Sequence, residues 1–327
     1  MTQPEPTDLP QVPAEEVAEL EAAAVVATVG GFAGALAPVL ASILATYEAV
    51  AAGGAAAGLA AASLKALSTR RLLDLTWPSM DESAYRYGID AQLLGMRRAF
   101  EQLTPEEQVG DVSHTRQAEQ YDRPHLDGAA RSRLNEAAKL AQVLPLDTKA
   151  NVMAVIGRAS SAKSLAEGVT RAVVYGGISK GKVEVAKATG KQLLWVPERD
   201  ACLHCLAHAG WVWRPGRYLP KGLTYADKPL KVRVKYPPLH PNCRCEAVLT
   251  SLPVGAPSRE RSRLDPAARL AAEARRSVVL GWTDHASEAA TLRAMDRLLR
   301  QGADLPTSVE RRARAAVRAG RTVRRPR

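Results

Sequence analysis

The sequence predicts an α+β chain that is mostly α-helical, with one small β-rich module in its C-terminal half. Three observations carry that reading. Alanine is abundant and only 2 of 327 residues are Phe, which suits helices packed through small side chains. Helical periodicity dominates up to Gly190, where the texture changes to short β-branched and aromatic runs separated by Pro and Gly. The 4 cysteines of the chain, Cys202, Cys205, Cys243 and Cys245, all fall inside that second texture.

Taken in order, residues 1–13 (MTQPEPTDLPQVP) form an acidic, Pro-rich leader expected to be disordered, the opposite of the basic start of an export signal. Residues 14–127 are a helical, Ala/Gly-rich region. Its helices are expected to break near Gly30/Gly31 and near Gly53/Gly54, because Gly costs helix stability. MRRAFEQL continues as helix and TPEEQVGDVSHTRQ as a connector. Residues 128–255 open with ARSRLNEAAKLAQVL and DTKANVMAVIGRA, where Asp147 or Thr148 is placed to cap the second helix. A third helix spans SAKSLAEGVTRAVVYGGISKGKVEVAKATG, with Leu165, Val169, Ala172 and Val173 on one face and Gly190 as its stop. QLLWVPE, GWVWRPG and LKVRVKY then read as strands. In residues 256–327, DPAARLAAEARRSVVL, TLRAMDRLLRQG and the Arg-rich end read as amphipathic helices.

Ala22 to Tyr47 carries no charge and is long enough to span a bilayer. Its many Ala and Gly, and the similar run that follows, make a pair of closely packed helices the more economical reading than a membrane span.

Net charge is +11, and residues 257–327 hold most of it: 17 Arg against 8 acidic residues, or +9. An Arg-only excess suits a polyanion such as double-stranded DNA, with Arg311, Arg312, Arg314, Arg318, Arg321, Arg324 and Arg325 as the expected contacts. The alternatives are a solvated helical face, or helices whose Arg pair with Asp265, Glu273, Glu288 and Asp296 of the same chain and which pack onto an acidic protein such as a portal subunit.

With no export signal, a reducing compartment is expected, and metal binding is favoured over disulfides. Cys202-x2-Cys205 turns two sulfurs towards one centre, and His240-x2-Cys243 repeats the spacing with Cys245 just beyond. Structural Zn²⁺ takes four tetrahedral S or N ligands, commonly from two such turns. A segment with three short strands buries little core, so a metal crosslink would substitute for it. Cys202, Cys205 and Cys243 are the first three ligands, and the fourth is Cys245 or His240. His204 and His208 are four apart with no HExxH Glu between them, and His204 is expected to be exposed. Trp211, Trp213 and Tyr218 could stack on bases, but aromatics beside a metal turn more often form its miniature core.

Asp200, Cys202 and Cys205 in D-x-C-x2-C, the Gly210-Trp211 turn and P-P-L-H-P-N-C-R-C from Pro237 to Cys245 together resemble the phage Mu F-like minor head protein family, also called the phage head morphogenesis domain. The likeness covers residues 151–250. It implies a structural protein and no catalysis: a minor capsid component acting near the portal during head assembly, with a role in DNA packaging or ejection in some members. Implied partners are the portal, scaffold or major capsid protein. Implied locations are the capsid interior or portal vertex of the virion, and the host cytoplasm during assembly. Two rivals remain. A treble-clef nuclease of the HNH kind needs a His or Asn after the second turn, where the chain has EAVLTSLPVG. A membrane-associated effector would rest on Ala22 to Tyr47.

Overall fold

The computed structural model describes residues 14–52, 57–104, 108, 125–197, 201–219, 224, 233–241, 243–252, 254, 287–300, 305 and 307–321. It is α+β, mostly helical with a small three-stranded antiparallel sheet. Among the described residues the helices are α1 (Ala14–Ala52), α2 (Ala57–Leu73), α3 (Met80–Glu101), α4 (Leu126–Val143), α5 (Lys149–Thr189), the short α6 (Leu203–Ala207), α7 (Glu288–Arg300) and α8 (Thr307–Ala319). The strands are β1 (Gln192–Val196), β2 (Val212–Trp213) and β3 (Glu246–Thr250), in the order β2-β1-β3.

Several expectations are corrected. The break at Gly30/Gly31 does not occur, because α1 runs unbroken through both glycines and Pro38. The two helices expected between Asp147 and Gly190 are one helix of 41 residues, α5. Its buried stripe is Ala159, Ala162, Ala166, Thr170 and Val173, so Leu165 and Val169 lie at the margin of the packed face. Thr148 is the cap: its Oγ1 accepts the Asn151 amide at 3.3 Å. Gly190 ends α5 at φ +67°, a conformation that favours glycine. No strand forms over Arg233–Tyr236, and Leu230–Val232 lie outside the described residues, as does DPAARLAAEARRSVVL. β3, which pairs along its whole length with β1 from Gln192↔Thr250 to Val196↔Glu246, is the strand that the sequence reading lacks.

The chain divides into two compact units that interleave in sequence: Glu15–Tyr87 with Asp122–Val173, and Gly88–Tyr121 with Val174–Arg327 and Met1–Ala14. Among the described residues, the regular structure of the first is all helical. Its core joins Phe32, Leu36 and Ile43 of α1 to Leu64 and Leu72 of α2, Leu134 and Ala138 of α4, and Val155 and Ala162 of α5. Glu21 and Arg171 tie α1 to α5 at 2.9 Å. Two helix starts cap each other. Asp127, in the first turn of α4, accepts the Met80 and Asp81 amides of α3 at 3.1 and 3.4 Å, with Trp77 Nε1 at 2.8 Å and Ser79 Oγ at 2.9 Å. Asp81 in turn accepts the Leu126 and Asp127 amides. Each carboxylate sits where a helix presents unsatisfied N–H groups and the positive end of its dipole. Burial alone would raise the Asp127 carboxyl, but the donors from Trp77, Met80, Ser79 and Asp81 hold it below the ordinary value of 3.8.

In the second unit, the C-terminal half of α3 and the end of α5 cross backbone to backbone. A Cβ on Gly181 would stand 2.1 Å from the Gln92 carbonyl oxygen, and one on Gly177 2.6 Å from that of Gly88. The Gly177-x3-Gly181 spacing puts both on one helix face, so absent side chains create the contact. At Gly30 and Gly34 in α1, by contrast, an added Cβ meets nothing within 4 Å. The same substitution therefore has opposite signs at the two places. Gly30→Ala raises stability by up to about 1 kcal/mol through helix propensity, whereas Gly181→Ala lowers it by about 3 kcal/mol through overpacking. Thermal melts of the two variants check this, and a stabilising Gly181→Ala would refute the close crossing.

The sheet, α6, α7 and α8 share one core in this unit. Trp195 of β1 and Trp213 of β2 pack with Cys205, Cys243 and Cys245, with Met295 and Leu298 of α7, and with Val309 and Ala313 of α8. The basic C-terminal helices are thus packed on the cysteine module.

Candidate metal centre and basic surfaces

The first cysteine pair sits at the start of α6: Cys202 just before it, and Cys205 inside its single turn. The second pair lies in the extended segment that leads into β3, so β1–β3 pairing fixes where Cys243 and Cys245 lie. Gly210, at φ +72°, turns the chain from α6 into β2, and its amide bonds the Trp195 carbonyl at 2.9 Å. Sheet and turns together bring both pairs to one place.

The donors form two overlapping groups, Cys202–Cys205–His240 and Cys205–Cys243–Cys245, each with all donor atoms within 4.8 Å of one another. A tetrahedral zinc with bonds of 2.3 Å to sulfur needs S···S separations of about 3.8 Å, so the groups are of the right size. His240 Nε2 faces Cys202 Sγ at 3.0 Å and Cys205 Sγ at 3.2 Å, while Cys205 and Cys243 sulfurs are 3.5 Å apart. His240 Nδ1 is 2.7 Å from the Pro241 carbonyl oxygen, which only accepts, so Nδ1 carries the proton and donates. That bond would leave Nε2 available to a metal, the usual outer support of a metal-bound His. The fit is to a thiolate-loving cation. Cys205 belongs to both groups, and both candidates for the fourth position, Cys245 and His240, lie against it.

The electrostatics suit deprotonated ligands. The Cys202 thiol is brought down to about 4, chiefly by its hydrogen bond with Cys205 and, against burial, by His240. Cys243 is also lowered, by hydrogen bonds with Cys205 and Cys245. Cys205 is pushed up by its hydrogen bonds with Cys202, Cys243 and Cys245 and by burial. His240 rises to about 9, mainly through its bond to Cys202. Lowered Cys202 and Cys243 thiols suit metal ligation, because a bound cation needs deprotonated sulfurs and displaces their protons.

Comparison with protein-family models, with curated proteins and with solved structures finds no match.

His204 is not the exposed residue expected: it is half-buried, its Nδ1 lies 2.8 Å from Thr224 Oγ1, and burial lowers its pKa. His208 is buried, donates from Nδ1 to the His204 carbonyl at 2.9 Å and packs its ring 5.2 Å from Trp195. Neither histidine joins the sulfur cluster. Trp213 is core, with Nε1 donating to the Lys235 carbonyl at 2.9 Å, and Trp211 packs at the core's margin. Tyr218 is 52% exposed. Asp200 and Asn242 of the quoted motifs lie outside the described residues.

On α8, Val309, Ala313 and Ala316 turn inward, while Arg311, Arg312, Arg314 and Arg318 are exposed, followed by exposed Arg321. Arg314 pairs with Glu310 at 2.8 Å, and Asp296 of α7 pairs with Arg300. Arg311, Arg312, Arg318 and Arg321 form no ion pair among the described residues, while Arg324, Arg325, Asp265 and Glu273 lie outside them. Sequence reasoning missed the ion pair of Lys182 with Glu246 at 2.5 Å, which joins α5 to the first residue of β3 and buries the Lys side chain completely.

Proposed function

We propose that this chain is a non-catalytic minor head protein of a tailed phage, built around a structural zinc centre and offering the Arg face of α8 to packaged DNA. The observation that carries it is the convergence of Cys202, Cys205, His240, Cys243 and Cys245. These five donors belong to the two separated motifs on which the resemblance to phage head morphogenesis proteins rests, and their clustering gives those motifs a joint purpose. The sulfur cluster is largely enclosed, since Cys205, Cys243 and Cys245 are buried, which suits a structural centre. Against the nuclease reading, the residues after Cys245 form β3, where such an enzyme needs a helix bearing His or Asn. For the effector reading, α1 is the one described helix long and apolar enough to cross a membrane. One face of it, with Val29, Phe32, Leu36 and Ile43, is buried in the helical core, while 28% of its most apolar window is buried in all.

The experiment is genetic and structural together. Particles released by cells that carry the gene should contain the chain at low copy number in filled heads. Deleting the gene should reduce assembled or filled heads. Particles that lack the chain, with unchanged yield and DNA content in the deletion, would refute the head role.

A further inference from the structure

The rim of the cysteine module carries a second basic surface. Arg214 and Arg217 flank a tight turn at Gly216, whose φ is +81°. Tyr218 follows, and the segment containing Arg233 and Lys235 runs alongside. Two hydrogen bonds pin these segments together, the Leu219 amide to the Val234 carbonyl at 2.8 Å and Trp213 Nε1 to the Lys235 carbonyl at 2.9 Å. The surface is therefore held on the buried Trp213 core.

Arg214, Arg217, Tyr218, Arg233 and Lys235 are all exposed. The Arg233 guanidinium lies 5.2 Å and the Lys235 ammonium 5.1 Å from the centre of the Tyr218 ring. Two like charges are thus gathered over one aromatic ring, whose negative face offsets part of their repulsion. Among the described residues none of the four cations forms an ion pair, whereas Arg300 and Arg314 on α7 and α8 each take a carboxylate from their own helix. Four exposed cations gathered with no carboxylate partner among the described residues hold a positive potential that recruits a polyanion.

We infer that this Tyr218-centred surface is a second nucleic-acid site, which binds the phosphodiester backbone without reading base sequence. The side chains fit that partner: Arg makes paired hydrogen bonds to phosphate oxygens and Lys supplies a point charge. Tyr218 acts by keeping Arg233 and Lys235 side by side. The inference stands apart from the α8 face and from the head role, since it needs only this surface.

The test uses the full zinc-loaded chain and a fluorescently labelled 20-mer duplex at 50 and 200 mM salt. Each phosphate contact adds about −0.9 to the log–log salt slope, so four contacts account for a fall on the order of 100-fold between those salts. The variant Arg214→Gln/Arg217→Gln/Arg233→Gln/Lys235→Gln should flatten the slope by about 3 to 4. A control removing four exposed cations from the helical unit, Arg70→Gln/Arg86→Gln/Lys139→Gln/Lys149→Gln, should leave it unchanged. Tyr218→Phe should bind as the native chain does, and Tyr218→Ala several-fold more weakly, which a role limited to net charge would not produce. Equal effects of the two quadruple variants would overturn the inference. So would stronger competition by polyglutamate or by anionic vesicles than by unlabelled duplex, which would assign the surface to an acidic protein or a membrane. If the α8 variant Arg311→Gln/Arg312→Gln/Arg318→Gln alone abolishes binding, the Tyr218 site is likewise refuted.

Discussion

Chain purified without chelator should carry close to one zinc ion, and Cys205→Ser should lose it. Cys205 is the position to change because its sulfur belongs to both donor groups. Cys245 and His240 each belong to only one, so Cys245→Ser and His240→Gln separate the two choices for the fourth ligand: the variant that keeps its metal has lost the spare donor. Structural zinc contributes on the order of 10 kcal/mol of apparent binding energy, more than a small sheet of this kind can replace. Removing it should therefore expose Trp195 and Trp213, now 0% and 2% accessible, and shift their fluorescence to the red. The helical core of α1, α2, α4 and the first half of α5 contains none of the module's residues, so much of the far-UV helical signal should survive chelation. Wild-type protein with no zinc by elemental analysis, or Cys205→Ser with full zinc, would defeat the metal centre. Complete loss of helical signal would mean that the two cores fold as one.

What the sequence made legible follows the range of the interactions concerned. β1 and β2 are visible in QLLWV and WVW because β-branched and aromatic residues favour a pleated, half-buried surface. β3 is not, since EAVLT mixes types and becomes a strand only through its register with β1. Gly30 and Gly31 misled for a specific reason. Gly31 reads locally as a helix breaker, yet its missing side chain lets the Pro78 ring approach to within 3.1 Å of where a Cβ would stand. Gly177 and Gly181 likewise admit the α3 backbone, although there the sequence already reads as helix through both. The cluster of candidate metal donors was legible because cysteine is rare in this chain and the spacing is tight. The basic surface around Tyr218 was not, because its two halves are brought together only by the Leu219–Val234 and Trp213–Lys235 hydrogen bonds. The mutual capping of Asp81 and Asp127 was hidden for the same reason, with the partners 46 residues apart.

Glu246→Ala should destabilise the cysteine module by about 3–5 kcal/mol, while Lys182→Met should cost clearly less. The asymmetry comes from the burial of the two partners. Lys182 has no accessible side-chain surface, whereas Glu246 retains 23%. Removing the Glu strands an ammonium group in the interior, and an uncompensated buried charge carries the full desolvation penalty. Removing the Lys leaves a carboxylate at the edge, which can turn towards water, and Met fills much of the space with an apolar chain. The double variant Lys182→Met/Glu246→Leu should recover most of the loss, because replacing both members of a buried pair with apolar groups is often neutral or stabilising. Glu246 directly follows Cys245, so a drop in stability could also arise from a disturbed metal centre. Measuring zinc content alongside urea denaturation separates the two causes: full zinc with a lowered midpoint locates the loss in the stranded Lys182. Equal costs for the two single variants, or a cost below about 1 kcal/mol for Glu246→Ala, would show that Lys182 reaches water and that α5 is joined to β3 by packing alone.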